Sequence, residues 1–356
     1  MSMAYRIVYL EDQEADSVIH DLTRFDLEVL HCNPTSFKET IESIDKFCPN
    51  LILMDFRLME RGGEVNAPAF AQYYRSLTID DKTKSIPIVL LSNDEKIHGF
   101  YEDFTSHDLF DFAIKKSKLS NNLEKYTCLM KELIESYRKI NELQSEREPL
   151  VKLLCIPENL VEEIDPRIQD ALHEQKLTKN IYMASSFILD SIVKPIGVLI
   201  GEDVLSARLG VSKDSPDWEF LCRQLEEYHY KGVYSDAYDR WWAEGVESWW
   251  ENIVGERVHL RRLSSDEKVK ILDNKYNFNL SAVVGDDKSR THKFWTICQD
   301  SIIPVDPSEA FEIKPPFAEL PWVDRTYYSF SSVRDQDLIT LLTDVERSRY
   351  KSLARG

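Results

Sequence analysis

Five short apolar runs punctuate the first 115 residues: RIVYL (6–10), LEVLH (27–31), LILMD (51–55), IPIVLLS (86–92) and LFDFAIK (109–115). The segments between them carry helical periodicity. Runs this short and this continuously apolar predict strands of a parallel sheet covered by helices on both faces. In open sheets of that kind ligands bind beyond the carboxyl ends of the strands. The polar residues that close each run are therefore candidates for one shared site.

Those residues are Glu11 and Asp12 after the first strand, Asp55 at the end of the third, Ser92 at the end of the fourth and Lys115 at the end of the fifth. Singly, each has an ordinary role as a helix cap, a turn residue or a solvated charge. Together, three carboxylates on one sheet edge repel one another, so they call for a hard divalent cation, and Mg²⁺ is the ion that a few carboxylate oxygens and waters hold. With such an ion one carboxylate can attack phosphorus in line, because phosphoryl transfer depends on positioning and charge neutralisation more than on a strong nucleophile. Asp55 is best placed to attack. Lys115 is expected to pair with a phosphoryl oxygen and Ser92 to donate to another. Contacts made only in the phosphorylated state are what a switch needs.

These residues resemble the receiver domain of bacterial response regulators over about Tyr5 to Ile140, some two fifths of the chain. The resemblance implies a doubly wound, flavodoxin-like sheet of five parallel strands in the order 2-1-3-4-5, with Asp55 as phosphoacceptor and a histidine kinase as phosphoryl donor. It further implies that Glu11, Asp12, Asp55 and the backbone carbonyl of Arg57 hold the metal, and that Ser92 and Phe112 form the switch. The sequence departs from the family pattern in three places. Lys116 follows Lys115 where a proline is common, Met59 stands where the family often has proline, and the segment from Glu60 to Ser85 is longer than usual. Arg57 and Asp94, each two residues after a site residue, are expected to pair across the entrance and slow attack by water.

The 356-residue chain exceeds the size at which single cores stop growing, roughly 250 to 300 residues, so more than one domain is expected. The division read from the sequence is a receiver domain at 1–120, its last helix and a helical linker at 121–149, and a mostly α-helical output or interaction domain at 150–356. The stripe Leu123, Tyr126, Met130, Leu133, Tyr137 and Ile140 belongs to one long helix from Leu119 to Leu143. It packs on the sheet or, alternatively, pairs two copies through 121–145. Pro149 is expected to end the helical linker.

A net charge of −18 opposes phosphate backbones, six scattered cysteines form no C-x-x-C pair, and no apolar stretch is long enough for a bilayer. Nucleic acid and membrane are therefore unexpected partners, and a cytoplasmic protein is expected. Beyond residue 150, helices are expected over Glu158–Gln175, Lys179–Val193, Asp217–Tyr230, Ser235–Ile253 and Ser265–Lys275. Three output readings follow. Residues 202–225 have the outline of a DNA-binding helix-turn-helix, but the second helix is acidic. His292, Cys298 and Asp300 are the nearest approach to an enzymatic cluster, and no enzyme motif accompanies them. Trp241, Trp242, Trp249 and Trp250, on a helix, are either a core contact or a protein-binding surface. The preferred account is a response regulator, not itself an enzyme, that signals through a helical protein-interaction domain.

Overall fold

The computed structural model describes residues 5–58, 65–78, 81, 84–92, 109–143, 149–174, 180–255, 258–315 and 320–354. It divides into two compact units. The first comprises residues 1–153 and 172–187, and the second residues 154–171 and 188–356. The first unit thus runs a little past the expected linker and takes in a later segment that sequence patterning assigned to the output domain.

The first unit is built on strands β1 (Tyr5–Leu10), β2 (Leu27–Cys32), β3 (Leu51–Asp55), β4 (Ile88–Ser92) and β5 (Phe112–Lys115), all parallel, in the order β2-β1-β3-β4-β5. This is the expected flavodoxin-like sheet. β3 is its middle strand, and every residue of β3 and β4 is buried, as near-continuous apolar runs require. Between strands run helices α1 (Asp16–Thr23), α2 (Phe37–Phe47) and α3 (Ala67–Leu77). Ser36 caps α2 by accepting from the Glu39 N–H, and Asn66 caps α3 by accepting from the Ala69 N–H. Asn66, Ala67 and Pro68 therefore form a helix start, with Pro68 in the first turn where no donor is lost.

After β5 the expected single helix is broken at Asn122, giving α4 (Lys116–Asn121) and α5 (Leu123–Leu143). Met130, Leu133, Tyr137 and Ile140 of α5 are at most 3% exposed within one chain, and α5 packs against α1. These four residues pack within the chain, while Leu123 and Tyr126 of the same stripe are half-buried. Pro149 does not close a helix. It occupies the first position of the helix Pro149–Leu154, the one place in a helix where its missing N–H costs nothing.

The second unit is mostly helical with three two-stranded ribbons. Its centre is the helix Glu202–Leu209, whose residues Val204 to Leu209 are all buried. Gly210 ends this helix at φ 70°, and a Cβ there would meet the Cα of Ser265 at 2.7 Å, so both backbone conformation and space demand glycine. The expected helix Glu158–Gln175 is a short 3₁₀ turn, Glu158–Leu160, followed by the helix Pro166–Glu174. Ser235–Ile253 is likewise not one helix. Trp241–Trp242 form a strand paired with Leu199–Ile200, and the helix is Ala243–Val254. All four tryptophans are 8% exposed or less, so this cluster is core and not an interaction surface. Among the described residues no helix is long and apolar enough to cross a membrane.

Candidate functional site

Strand order places the site. The chain leaves β1 in one direction to β2 and returns past it to β3, so the crevice where the order reverses lies at the carboxyl ends of β1 and β3. Glu11 and Asp12 follow β1 and Asp55 ends β3; all three are buried, at 2%, 4% and 6% exposure. Ser92 ends β4 at 2% exposure.

The ammonium between these carboxylates belongs to Lys116, the residue after the Lys115 expected there. The Lys116 ammonium lies 2.6 Å from Oε2 of Glu11 and 2.8 Å from Oδ1 of Asp55. Lys115 is the last residue of β5, where it pairs with Ser92, and Lys116 is the first residue of α4. Phe112 is half-buried at the start of β5 opposite Val89, three positions back from the Ser92–Lys115 pair.

Each carboxylate has further donors. Oε2 of Glu11 also accepts from the Tyr9 hydroxyl at 2.7 Å, and its Oε1 accepts from the Gln13 N–H at 3.2 Å. Tyr9 lies two residues before Glu11 and so on the same side of the strand, a signal present in the sequence and not used there. The Glu11 carbonyl accepts from Nε2 of His31 at 2.9 Å. Oδ2 of Asp55 accepts from the Arg57 N–H at 2.9 Å. Burial acts on both acids, with opposite outcomes. It pushes the Asp55 carboxyl above its ordinary value despite the Lys116 ammonium, and the neighbouring Glu11 charge adds to the rise. Burial also pushes Glu11 up, but Lys116, Tyr9 and Gln13 together outweigh it and hold Glu11 below its ordinary value. For Lys116 burial favours the neutral amine, and its bonds to the two carboxylates overcome that and raise it. Burial and Glu11 raise the Tyr9 phenol far out of the working range, so it remains a donor.

Hard carboxylate oxygens suit Mg²⁺ in kind. In position they do not present a metal cage: among the described residues, no group of three or more His, Cys, Asp or Glu side chains stands close enough to hold a metal ion. Lys116 instead holds Glu11 and Asp55. The residues Met59 and Asp94, and parts of the long segment before β4, lie outside the described residues, so the Arg57–Asp94 pairing does too.

A second buried ion pair sits in the same unit. Nη2 of Arg75 in α3 donates to Oδ2 of Asp111 at 2.8 Å, Nη1 donates to the Ile86 carbonyl at 3.0 Å, and the Tyr137 hydroxyl donates to Oδ1 of Asp111 at 2.6 Å. The Arg75 guanidinium also lies 3.9 Å above the Tyr182 ring, which ties the later chain segment to α3.

In the second unit Cys298 is fully buried. Its sulfur accepts from the Ser329 N–H at 3.3 Å and lies 3.3 Å from the Ser332 hydroxyl. This is the setting of a core thiol. The helix-turn-helix outline is present as Glu202–Leu209 and Trp218–Gln224, but the first helix is buried and the second exposes Glu219, Phe220 and Arg223.

No family model and no curated protein matches the chain. Among solved structures it is similar to a response regulator receiver domain from Methylobacillus flagellatus, at 15% identity over 32% of this chain and 87% of that one, with TM-score 0.25. It is similar to a response regulator from Desulfuromonas acetoxidans at 21% identity over 35% of this chain and 98% of that one, TM-score 0.26. A third is an adenylate cyclase from Rhodopirellula baltica, at 18% identity over 40% of this chain and 99% of that one, TM-score 0.32. None of the three reaches half of this chain. The flavodoxin-like fold of the first unit rests on its own strand order and register, with the acidic crevice where that order reverses.

Proposed function

We propose that the first unit is a phosphoacceptor switch in a cytoplasmic two-component pathway, with Asp55 taking the phosphoryl group from a histidine kinase. The observation that supports this most is the Lys116 ammonium held between Asp55 and Glu11 at the switch point of the sheet. A carboxylate oxygen of Asp55 forms the new bond to phosphorus as the bond from phosphorus to the donor imidazole breaks, and the imidazole takes a proton as it leaves. Lys116, already on Asp55, follows the negative charge onto a phosphoryl oxygen, which weakens its hold on Glu11. Ser92 at the end of β4 supplies a hydroxyl to the same group.

The second unit carries the response as a protein-interaction module. The chain's −18 charge argues against a phosphate backbone as its target. The test is intact-mass measurement after incubation with acetyl phosphate and Mg²⁺. The chain should gain one phosphoryl group that is lost in hydroxylamine, and Asp55→Ala should gain none. An unmodified wild-type chain under these conditions contradicts the proposal.

A further inference from the structure

In the second unit a cleft of about 480 Å³ opens beside the start of the helix Glu202–Leu209, the segment 194–196 and the segment 237–240. That volume is in the range of small-molecule sites. The charges on its wall are unequally committed. Glu202 accepts from Nε1 of Trp218 at 2.8 Å, Asp203 lies 2.5 Å from the Lys213 ammonium, and Asp324 lies 2.7 Å from the Arg208 guanidinium. Asp239 lies 2.5 Å from Nε2 of His229, and Lys194 is held by Asp190 at 2.6 Å.

Arg240 differs. Its guanidinium donates to backbone carbonyls, Nε to Val193 at 3.0 Å and Nη1 to Asp239 at 2.9 Å; among the described residues no carboxylate forms an ion pair with it, and Asp239 and Asp203 act on it only from further away. A guanidinium has five N–H donors, so most of this fork is uncommitted in the cleft wall. Space has been left for it there. A Cβ on Gly201 would stand 2.9 Å from Nη1, and the φ of Gly201, −83°, is one that any residue adopts. A side chain at 201 would therefore push the flexible guanidinium aside, with no objection from the backbone. The half-buried Tyr238 ring also faces the cleft, 5.5 Å from Arg240.

We propose that this cleft binds a small molecule bearing a carboxylate or phosphate, with the oxyanion on the Arg240 fork and a flat or apolar portion against Tyr238. A cationic ligand would have to compete for carboxylates that are already engaged. An oxyanion meets donors that are not, in the geometry that accepts two oxygens at once. The proposal rests on the second unit alone and is independent of the phosphoacceptor reading.

Isothermal titration calorimetry of the full chain with inorganic phosphate, benzoate and adenosine 5′-monophosphate tests it and separates the two oxyanions. Saturable binding of at least one probe is expected, weakened at least about tenfold in Arg240→Met and in Gly201→Ala, where the guanidinium is displaced without loss of charge. Circular dichroism establishes that each variant is folded, and if Arg240→Met is not, Gly201→Ala decides alone. Absence of saturable binding of all three probes at millimolar concentration overturns the proposal, as does affinity unchanged in the folded variants.

Discussion

Lys116 bridges Asp55 and Glu11 with a single ammonium, 2.8 Å from one carboxylate and 2.6 Å from the other. Two buried acids on adjacent strand ends are tolerated because one cation serves both. Removing it leaves two uncompensated charges, which in buried pairs costs about 3 kcal/mol or more.

The pH dependence of that loss has a definite sign. Glu11 is held below its ordinary value, so the stability it contributes is present above about pH 4.3 and disappears as pH falls through its lower folded value. In Lys116→Met the cation is gone from both acids, leaving burial opposed by Tyr9 and Gln13 at Glu11 and by the Arg57 N–H at Asp55, so both carboxyls rise relative to wild type. The variant should therefore be destabilised at neutral pH and recover part of the difference on acidification toward pH 5, as the acids take up protons. Urea midpoints at several pH values check this. A constant deficit across that range contradicts it.

The Arg75–Asp111 pair is expected to hold the rear of the first unit. The two side chains are 11% and 2% exposed, and the Ile88 N–H and the Tyr137 hydroxyl both depend on the same Asp111 carboxylate. Arg75→Met should cost about 3 to 5 kcal/mol in denaturant unfolding. Arg75→Lys should rescue little, since one ammonium cannot reproduce a fork that also reaches the carbonyls of Ile86 and Leu109. A loss below about 1 kcal/mol for Arg75→Met would show the pair to be dispensable.

Lys268 predicts a slope of the same sign, in a more alkaline window, in the second unit. It is fully buried, donates to the carbonyls of Arg208 and Phe294, and burial pulls it down to about 7. Between that value and about 10.4 the unfolded chain binds the proton and the folded chain does not, so stability rises with pH by on the order of 1 kcal/mol per unit. Below pH 7 both states are protonated and the penalty is constant. Lys268→Met should abolish the rise. Equal slopes in wild type and variant would contradict the assignment.

How much of this was legible in sequence depends on whether the determinant is local. The strands were legible because burial on both faces writes continuous apolar runs, and β3 lies where LILMD predicts it. The choice between Lys115 and Lys116 was not, because it turns on where β5 ends and the next helix begins, which two adjacent lysines do not mark. Trp241 and Trp242 continue a helical pattern in sequence but are drawn into a strand by the distant Leu199–Ile200 segment. The helix Glu202–Leu209 gave no stripe to read, being buried nearly all round, and its Arg208 is accommodated by Asp324 more than a hundred residues away.

The most direct test of the central claim is the rate of phosphoryl incorporation from acetyl phosphate with Mg²⁺ in Lys116→Ala and Lys115→Ala. Phosphorylation of Asp55 that is abolished or slowed at least about a hundredfold in Lys116→Ala, and near wild-type in Lys115→Ala, is the predicted result. The reverse order, or equal rates in both variants, would contradict the assignment of Lys116 as the cation of the site.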